Sequence, residues 1–181
     1  LGIGEISSEP VVASTQMGYA IQPEDLPLIF KEYESLASSY LEARGREGAF
    51  HFFHFSIESE NEICMKKRVG GCGSGTEYLA VAPSGDLYPC HQFVGQEGFL
   101  LGNVNGGFSE EGNALRHKFS SLNVNSKEEC RNCWAKYFCG GGCAANAFQY
   151  GSGLAGTHPI GCAMLKKRLE CALYIKSVEK H

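Results

Sequence analysis

A chain of 181 residues and 19.7 kDa with 43% hydrophobic residues can build one ordinary domain, or a small domain with part of another, which excludes a disordered tail. A net charge of −4 offers phosphate backbones and anionic lipid no attraction, so no nucleic acid and no membrane is expected among the partners. No stretch approaches the roughly 18 apolar residues of a membrane span, and residues 1–20 lack the basic start and apolar centre of a signal peptide; the expected location is cytoplasmic.

In chain order, Leu1-Gly2-Ile3-Gly4-Glu5-Ile6 and Glu9-Pro10-Val11-Val12 read as a buried strand running into a loop, with Pro10 ending regular pairing. From Asp25, with Pro27 in the first turn, Leu26, Ile29, Phe30, Tyr33, Leu36, Tyr40 and Leu41 share one helical face. Gly45 and Gly48 close that helix, and Phe50, Phe52, Phe53, Phe55 and Ile57 read as a second strand. Strand, helix, strand is a crossover unit, and one such unit cannot cover both faces of a parallel sheet. Residues 1–62 are therefore expected to be the edge of a larger α/β domain whose earlier strands are missing.

Residues 63–181 change texture to short strands, glycine turns and cysteines. Glu77–Val81 and Asp86–Tyr88 flank Pro83-Ser84-Gly85 as a hairpin in which Gly85 supplies a positive φ. Phe99-Leu100-Leu101 suggests a third strand, Ser109 caps a helix to about Ser121, and Cys162–Val178 is amphipathic through Leu165, Leu169, Leu173 and Ile175. The runs Lys66-Lys67-Arg68 and Lys166-Lys167-Arg168 read as solvated faces.

The cysteines carry the strongest signal. There are nine, at Cys64, Cys72, Cys90, Cys130, Cys133, Cys139, Cys143, Cys162 and Cys171. That density is below a disulfide scaffold, the count is odd, and in a reducing compartment clustered cysteines read first as metal ligands. Cys130-Arg131-Asn132-Cys133 puts two thiolates on one tight turn, and Cys139-Gly140-Gly141-Gly142-Cys143 puts two more on a loop free of side chains. Thiolates that converge repel one another unless a cation or cluster neutralises them, so binding and folding should be coupled. Bare backbone can also approach cluster sulfurs and donate N–H bonds to them.

The full pattern runs Cys72, twelve residues, Gly85, four residues, Cys90, then CxxC from Cys130, Cys139, Cys143 and Cys162. It resembles, interval by interval, the seven-cysteine SPASM pattern of radical S-adenosylmethionine enzymes over residues 72–162. The resemblance implies two auxiliary 4Fe-4S clusters with crossed ligation. Cluster I would use Cys72, Cys90 and Cys143, and cluster II would use Cys130, Cys133, Cys139 and Cys162. For the fourth position of cluster I two options stay open: Cys64 supplies the thiolate, or the iron is left for a substrate thiol. Cys171 fits no ligand slot and reads as a helical thiol.

Within that group, Gly71–Tyr78, Gly85–Gly95, Gly102-Asn103-Val104 and Glu9-Pro10-Val11-Val12 resemble the maturases of six-cysteines-in-forty-five peptides. That resemblance implies thioether formation between a cysteine sulfur and a backbone carbon of a cysteine-rich precursor peptide, with an electron donor or acceptor protein as a possible further partner. The implied fold is α+β: the final βα unit of a partial, TIM-like radical barrel, then a small cysteine-rich domain with a β-hairpin and short helices around two clusters. The loop that holds the S-adenosylmethionine-cleaving cluster, CxxxCxxC, does not occur in the sequence, so this chain is expected to be inactive alone and S-adenosylmethionine to be bound only in a longer parent. No catalytic residue is assigned. Glu9, His91 and His117 are candidates weighed against solvent and packing roles; Arg131 and Lys136 would offset cluster charge, and Trp134, Tyr137 and Phe138 would shield the cluster from water.

Three rival readings remain: a structural protein with two four-cysteine zinc sites, a ferredoxin-like electron carrier, and a sulfatase-type maturase that oxidises cysteine or serine to formylglycine.

Overall fold

The computed structural model of the protein describes residues 3–57 and 65–179. Its elements in chain order are β1 (Glu5–Ile6), α1 (Leu26–Ala43), β2 (His51–Phe52), α2 (Met65–Gly70), β3 (Ala80–Val81), β4 (Asp86–Tyr88), β5 (Gly102–Asn103), β6 (Gly107–Phe108), α3 (Glu110–Ser121), α4 (Glu128–Arg131), α5 (Lys136–Cys139), α6 (Ala144–Tyr150) and α7 (Pro159–Glu179). They form two compact units, one of residues 1–62 with 159–181 and the other of residues 63–158. Helix α7, expected with the cysteine-rich region, thus groups with the first segment.

In the first unit Pro27 sits in the opening turn of α1, and the Asp25 carboxylate accepts the Gln22 backbone N–H at 2.8 Å. Gly45 and Gly48, at φ 74° and 84°, then turn the chain out of the helix. The strand that follows pairs in parallel with β1, Glu5 against His51 and Ile6 against Phe52, completing the expected crossover. Both residues of β1 are exposed, however, and only Phe52 of the pair is buried.

The phenylalanine run does not continue as a strand. Phe53–Phe55 coils into a 3-10 turn, which brings the Phe55 ring to 4.8 Å from Phe52 and 5.8 Å from Tyr40. Alternation along a strand would have sent Phe52 and Phe55 to opposite faces; the turn puts both in one core with Tyr33, Ala37, Met164, Cys171, Ala172 and Ile175, and leaves Phe53 exposed.

The buried stripe of α7 is Met164, Arg168, Leu169, Cys171, Ala172 and Ile175, while Leu173 is exposed. Steps of four, one, two, one and three from Met164 keep one broad helical face, and Leu173 falls just off it. Two side chains of the expected solvated run are corrected by this rotation. Arg168 is 8% exposed, with Nη1 3.4 Å from the Ser8 carbonyl and 3.6 Å from the Glu9 carboxylate. Lys167 pairs with Glu34 and, at 3.5 Å, with Glu170.

The second unit is built on an antiparallel sheet in the order β3-β4-β5-β6. Gly85, at φ 86°, closes the first hairpin by donating its N–H to the Ala82 carbonyl at 2.8 Å. The expected third strand lies one step later, at Gly102–Asn103, and a fourth follows at Gly107–Phe108. Phe99 and Leu101 serve the core instead, with the Phe99 ring stacked 4.2 Å from Phe93 and the Leu101 N–H donated to Leu87 at 2.7 Å. Ser109 caps α3 as expected, accepting the Gly112 N–H at 2.9 Å. Among the described residues, no helix is long and apolar enough to cross a membrane.

Candidate metal centre

Cys72 rides on a turn assembled from glycines. Gly71 ends α2 by donating its N–H to Lys67 at 2.9 Å, and Gly71, Gly73 and Gly75 all have φ near the left-handed region, at 69°, 71° and 75°. The Gly73 carbonyl accepts the backbone N–H of Thr76, Glu77 and Tyr78, which leaves the Cys72 side chain on the outside of the turn. Lys66, beside it, pairs with Glu77, whose carboxyl that bond holds below the ordinary range.

This turn is tied to the segment that carries Cys90. The Gly75 N–H and the Ser74 hydroxyl both donate to the Pro89 carbonyl, at 2.9 and 3.2 Å. Cys90 itself is buried among Tyr88, Phe93, Phe99, Phe119 and Ala145, and precedes a 3-10 turn at His91–Phe93. From that turn the Gln92 amide donates to the Cys143 sulfur at 3.5 Å.

The remaining cysteines of this unit lie on consecutive turns. Asn123 gathers the backbone N–H groups of Asn125 and Ser126 on its side-chain oxygen, and its carbonyl accepts from Lys127, which starts α4. Cys130 closes on Lys127, Cys133 closes on Cys130 at 3.0 Å, and Cys139 ends α5 on Ala135 at 2.9 Å. Gly140, Gly141 and Gly142 follow with φ of 69°, 94° and 71°, three successive left-handed residues that a side chain would strain. Cys143 then begins α6 at its N-cap.

A cavity of about 230 Å³ opens among these turns, with Lys67, Cys72, Lys127, Gly71, Gly140 and Gly141 in its wall. A Cβ at Gly71 would stand 2.8 Å from the Gly140 carbonyl oxygen, so only glycine lets the two loops approach. Lys127 is 3% exposed and donates to the Gly141 carbonyl at 2.9 Å. A buried ammonium beside a cysteine suits an anionic occupant, because burying charge without a partner is costly.

Cys162 is half-buried on the first turn of α7 in the other unit, and Cys171 lies in that unit's core, where burial pushes its thiol pKa up. Cys64 lies outside the described residues. Among the described residues, no group of three or more His, Cys, Asp or Glu side chains is arranged to hold a metal ion. The structure therefore binds the segments of Cys72, Cys90 and Cys143 to one another through Pro89 and Gln92, without gathering their sulfurs into a coordination shell.

The other candidates are placed as follows. His91 Nδ1 is 3.2 Å from the Tyr78 hydroxyl, and the Lys136 ammonium donates to the Arg131 carbonyl at 2.7 Å. His117 lies within α3, its carbonyl accepting from Ser120 at 2.8 Å. Trp134, Tyr137 and Phe138 are exposed within this unit, with Lys136 over the Tyr137 ring and Arg68 over the Phe138 ring. Sequence reasoning missed Gln92 and Lys127, because neither residue type signals metal chemistry without knowledge of what lies across the fold.

The donor set fits iron–sulfur clusters: Cys72, Cys90, Cys133, Cys139 and Cys143 are thiols outside any disulfide, Cys72, Cys139 and Cys143 on glycine-built turns and the last two flanking a loop that meets a buried cation.

Residues 72–134 match the family model of SPASM, described as an iron-sulfur cluster-binding domain. The chain is 32% identical over 111 residues to an uncharacterized protein of Archaeoglobus fulgidus, covering 60% of this chain and 24% of that one. It resembles the solved structure of native anSMEcpe with bound AdoMet and Kp18Cys peptide, with TM-score 0.58, 18% identity, and coverage of 94% of this chain and 47% of that one. The chain spans about a quarter of the archaeal relative and about half of the solved chain. This is a chain with an iron–sulfur cluster-binding SPASM domain, in a fold shared with anSMEcpe over nearly its whole length. The SPASM resemblance carried by the cysteine spacing is thereby shown over residues 72–134.

Proposed function

We propose that this chain is the auxiliary-cluster region of a radical S-adenosylmethionine peptide maturase, with residues 1–62 at the edge of the barrel and residues 63–181 forming the SPASM region. Seven cysteines hold two 4Fe-4S clusters: Cys72, Cys90 and Cys143 serve one, and Cys130, Cys133, Cys139 and Cys162 serve the other. The observation that carries this reading is the SPASM match over residues 72–134, which hold four of the seven cysteines. When bound, such clusters supply a coordination site for a substrate thiolate and a route for the surplus electron.

The chain's own residues prepare that chemistry. Gly140, Gly141 and Gly142 leave backbone bare between Cys139 and Cys143, and Lys127 brings positive charge beside them. Pro89 and Gln92 hold the Cys72, Cys90 and Cys143 segments in register. The partner is a cysteine-rich precursor peptide, the reaction is thioether formation in the complete parent protein, and the location is cytoplasmic. The fold likeness to anSMEcpe, solved with AdoMet and a peptide, supports a peptide substrate and also a second reading, formylglycine formation of the sulfatase type.

Anaerobic reconstitution with iron and sulfide tests the core of the proposal. About eight irons per chain and a brown protein absorbing near ~400 nm are expected for two such clusters; a colourless protein with two zinc ions would overturn it. In the parent protein, thioether formation removes two hydrogens and retains the cysteine sulfur in the peptide, whereas formylglycine formation from cysteine expels it. Mass spectrometry of the peptide separates the two.

A further inference from the structure

We infer that Gln92 is a positioning residue that holds the Cys143 thiolate and raises the reduction potential of the cluster this cysteine serves. The inference rests on the cluster reading above and deepens the part that reading gives to Gln92.

Gln92 stands in the 3-10 turn immediately after Cys90. Its side-chain Nε2 lies 3.5 Å from the Cys143 sulfur, across 51 residues of sequence. Its main-chain carbonyl in turn accepts the side-chain amide of Gln149 at 3.1 Å. Gln149 belongs to α6, the helix whose N-cap is Cys143. Two hydrogen bonds of opposite direction therefore clamp the Cys90 turn to the first and last turns of one short helix. Such a double tether fixes both the distance and the rotation of the turn, which one bond alone would leave free.

The chemistry fixes which end of the amide faces the sulfur. A thiolate only accepts, so the NH2 end of Gln92 must point at Cys143, and a carboxamide keeps that donor at any pH. An N–H donated to a cluster sulfur draws electron density from it and favours the reduced form, which carries the extra negative charge. Gln92 is half-buried and Cys143 exposed, so the geometry of the double tether, rather than exclusion of water, holds the amide on the sulfur.

The test compares wild type with Gln92→Leu and Gln92→Glu after anaerobic reconstitution, reading iron content and an EPR-monitored redox titration. Full iron loading is expected in all three. In both variants the ratio of reduced to oxidised cluster at a fixed potential should fall about tenfold for one cluster, a shift of ~59 mV to lower potential for a one-electron couple, while the other cluster stays put. The cluster that shifts should be the one whose signal is lost in Cys90→Ala. Gln149→Leu should move the same cluster in the same direction by less. Unchanged potentials in a fully loaded Gln92→Glu protein would overturn the inference, as would equal shifts of both clusters. Should Gln92→Leu lose iron, the isosteric Gln92→Glu decides alone. A wild-type chain that takes up no iron would instead sink the cluster reading itself.

Discussion

The ammonium of Lys127 donates to the carbonyl oxygen of Gly141 at 2.9 Å in a position only 3% exposed, so a full positive charge is held against the loop between Cys139 and Cys143. One carbonyl satisfies one of the three donors of an ammonium. Its charge also helps to hold down the carboxyl of exposed Glu129, after the Glu129 backbone N–H and the Ser152 hydroxyl.

Replacing Lys127 by methionine keeps the apolar stem and removes the donor. The Gly141 carbonyl is then left buried without its partner, which costs about 1–3 kcal/mol. The expected outcome is a lower denaturant midpoint at unchanged slope, together with faster iron loss to a chelator, and Lys127→Arg should recover most of both. Equal iron retention in Lys127→Met and wild type would mean that the charge serves the loop alone.

At Gly71 two penalties coincide. A Cβ there would lie 2.8 Å from the Gly140 carbonyl oxygen, and the backbone sits at φ 69°. Left-handed backbone costs a non-glycine residue about 1–2 kcal/mol, and the clash adds to it by forcing the Cys72 and Cys139–Gly140 loops apart. Gly71→Ala should therefore lose iron from clusters on both sides of the contact, measured per chain after reconstitution. Gly45→Ala, with φ 74° and open space around it, should carry the conformational penalty but leave iron content intact.

What could be read in the sequence was whatever depends on short range. Pro27 in the first turn, the Gly45 and Gly48 exit and the Ser109 cap are local devices, and each stands where expected. The Pro83-Ser84-Gly85 hairpin is equally local. The metal chemistry was readable because cysteine spacing is itself a short-range code, one the SPASM match bears out over residues 72–134. The misreadings arise where tertiary partners decide. Periodicity could not say that Phe53–Phe55 would coil to set the Phe55 ring edge-on to Phe52, nor that α7 would turn Arg168 inward toward Ser8 and Glu9. Gln92 and Lys127 were silent for the same reason: their partners lie 51 and 14 residues away.

Ser109 offers a test of how firmly α3 is docked. Its hydroxyl accepts the Gly112 N–H at 2.9 Å, and Gly112 packs so closely that a Cβ would stand 1.9 Å from the Leu101 carbonyl oxygen. Ser109→Ala should cost about 1 kcal/mol through loss of the cap. Gly112→Ala should cost more, about 1–3 kcal/mol, because it overpacks the junction between α3 and the sheet. Urea unfolding checks the order; a smaller effect for Gly112→Ala would mean that the helix slides without strain.

The pH dependence of stability follows from two histidines. Burial, followed by the Arg168 guanidinium, pushes the His54 pKa below its ordinary value, with Glu9 at 3.1 Å opposing; burial alone lowers that of His158. Both rings are thus favoured neutral in the folded chain. Below the ordinary histidine value of about 6.5 the unfolded chain binds more protons than the folded one, so stability declines as pH falls from 7 through 6. The carboxyls of Glu77, Asp86 and Glu129 are shifted down, so their contributions disappear only at lower pH, below the ordinary carboxylate range. The window from pH 7 to 5 is therefore governed by the histidines. Denaturant midpoints measured under anaerobic conditions should drop between pH 7.5 and 5.5, and His54→Phe should flatten part of that slope. A midpoint that rises on acidification would show that His54 is charged in the fold and that its ion pair with Glu9 outweighs both burial and the repulsion from Arg168.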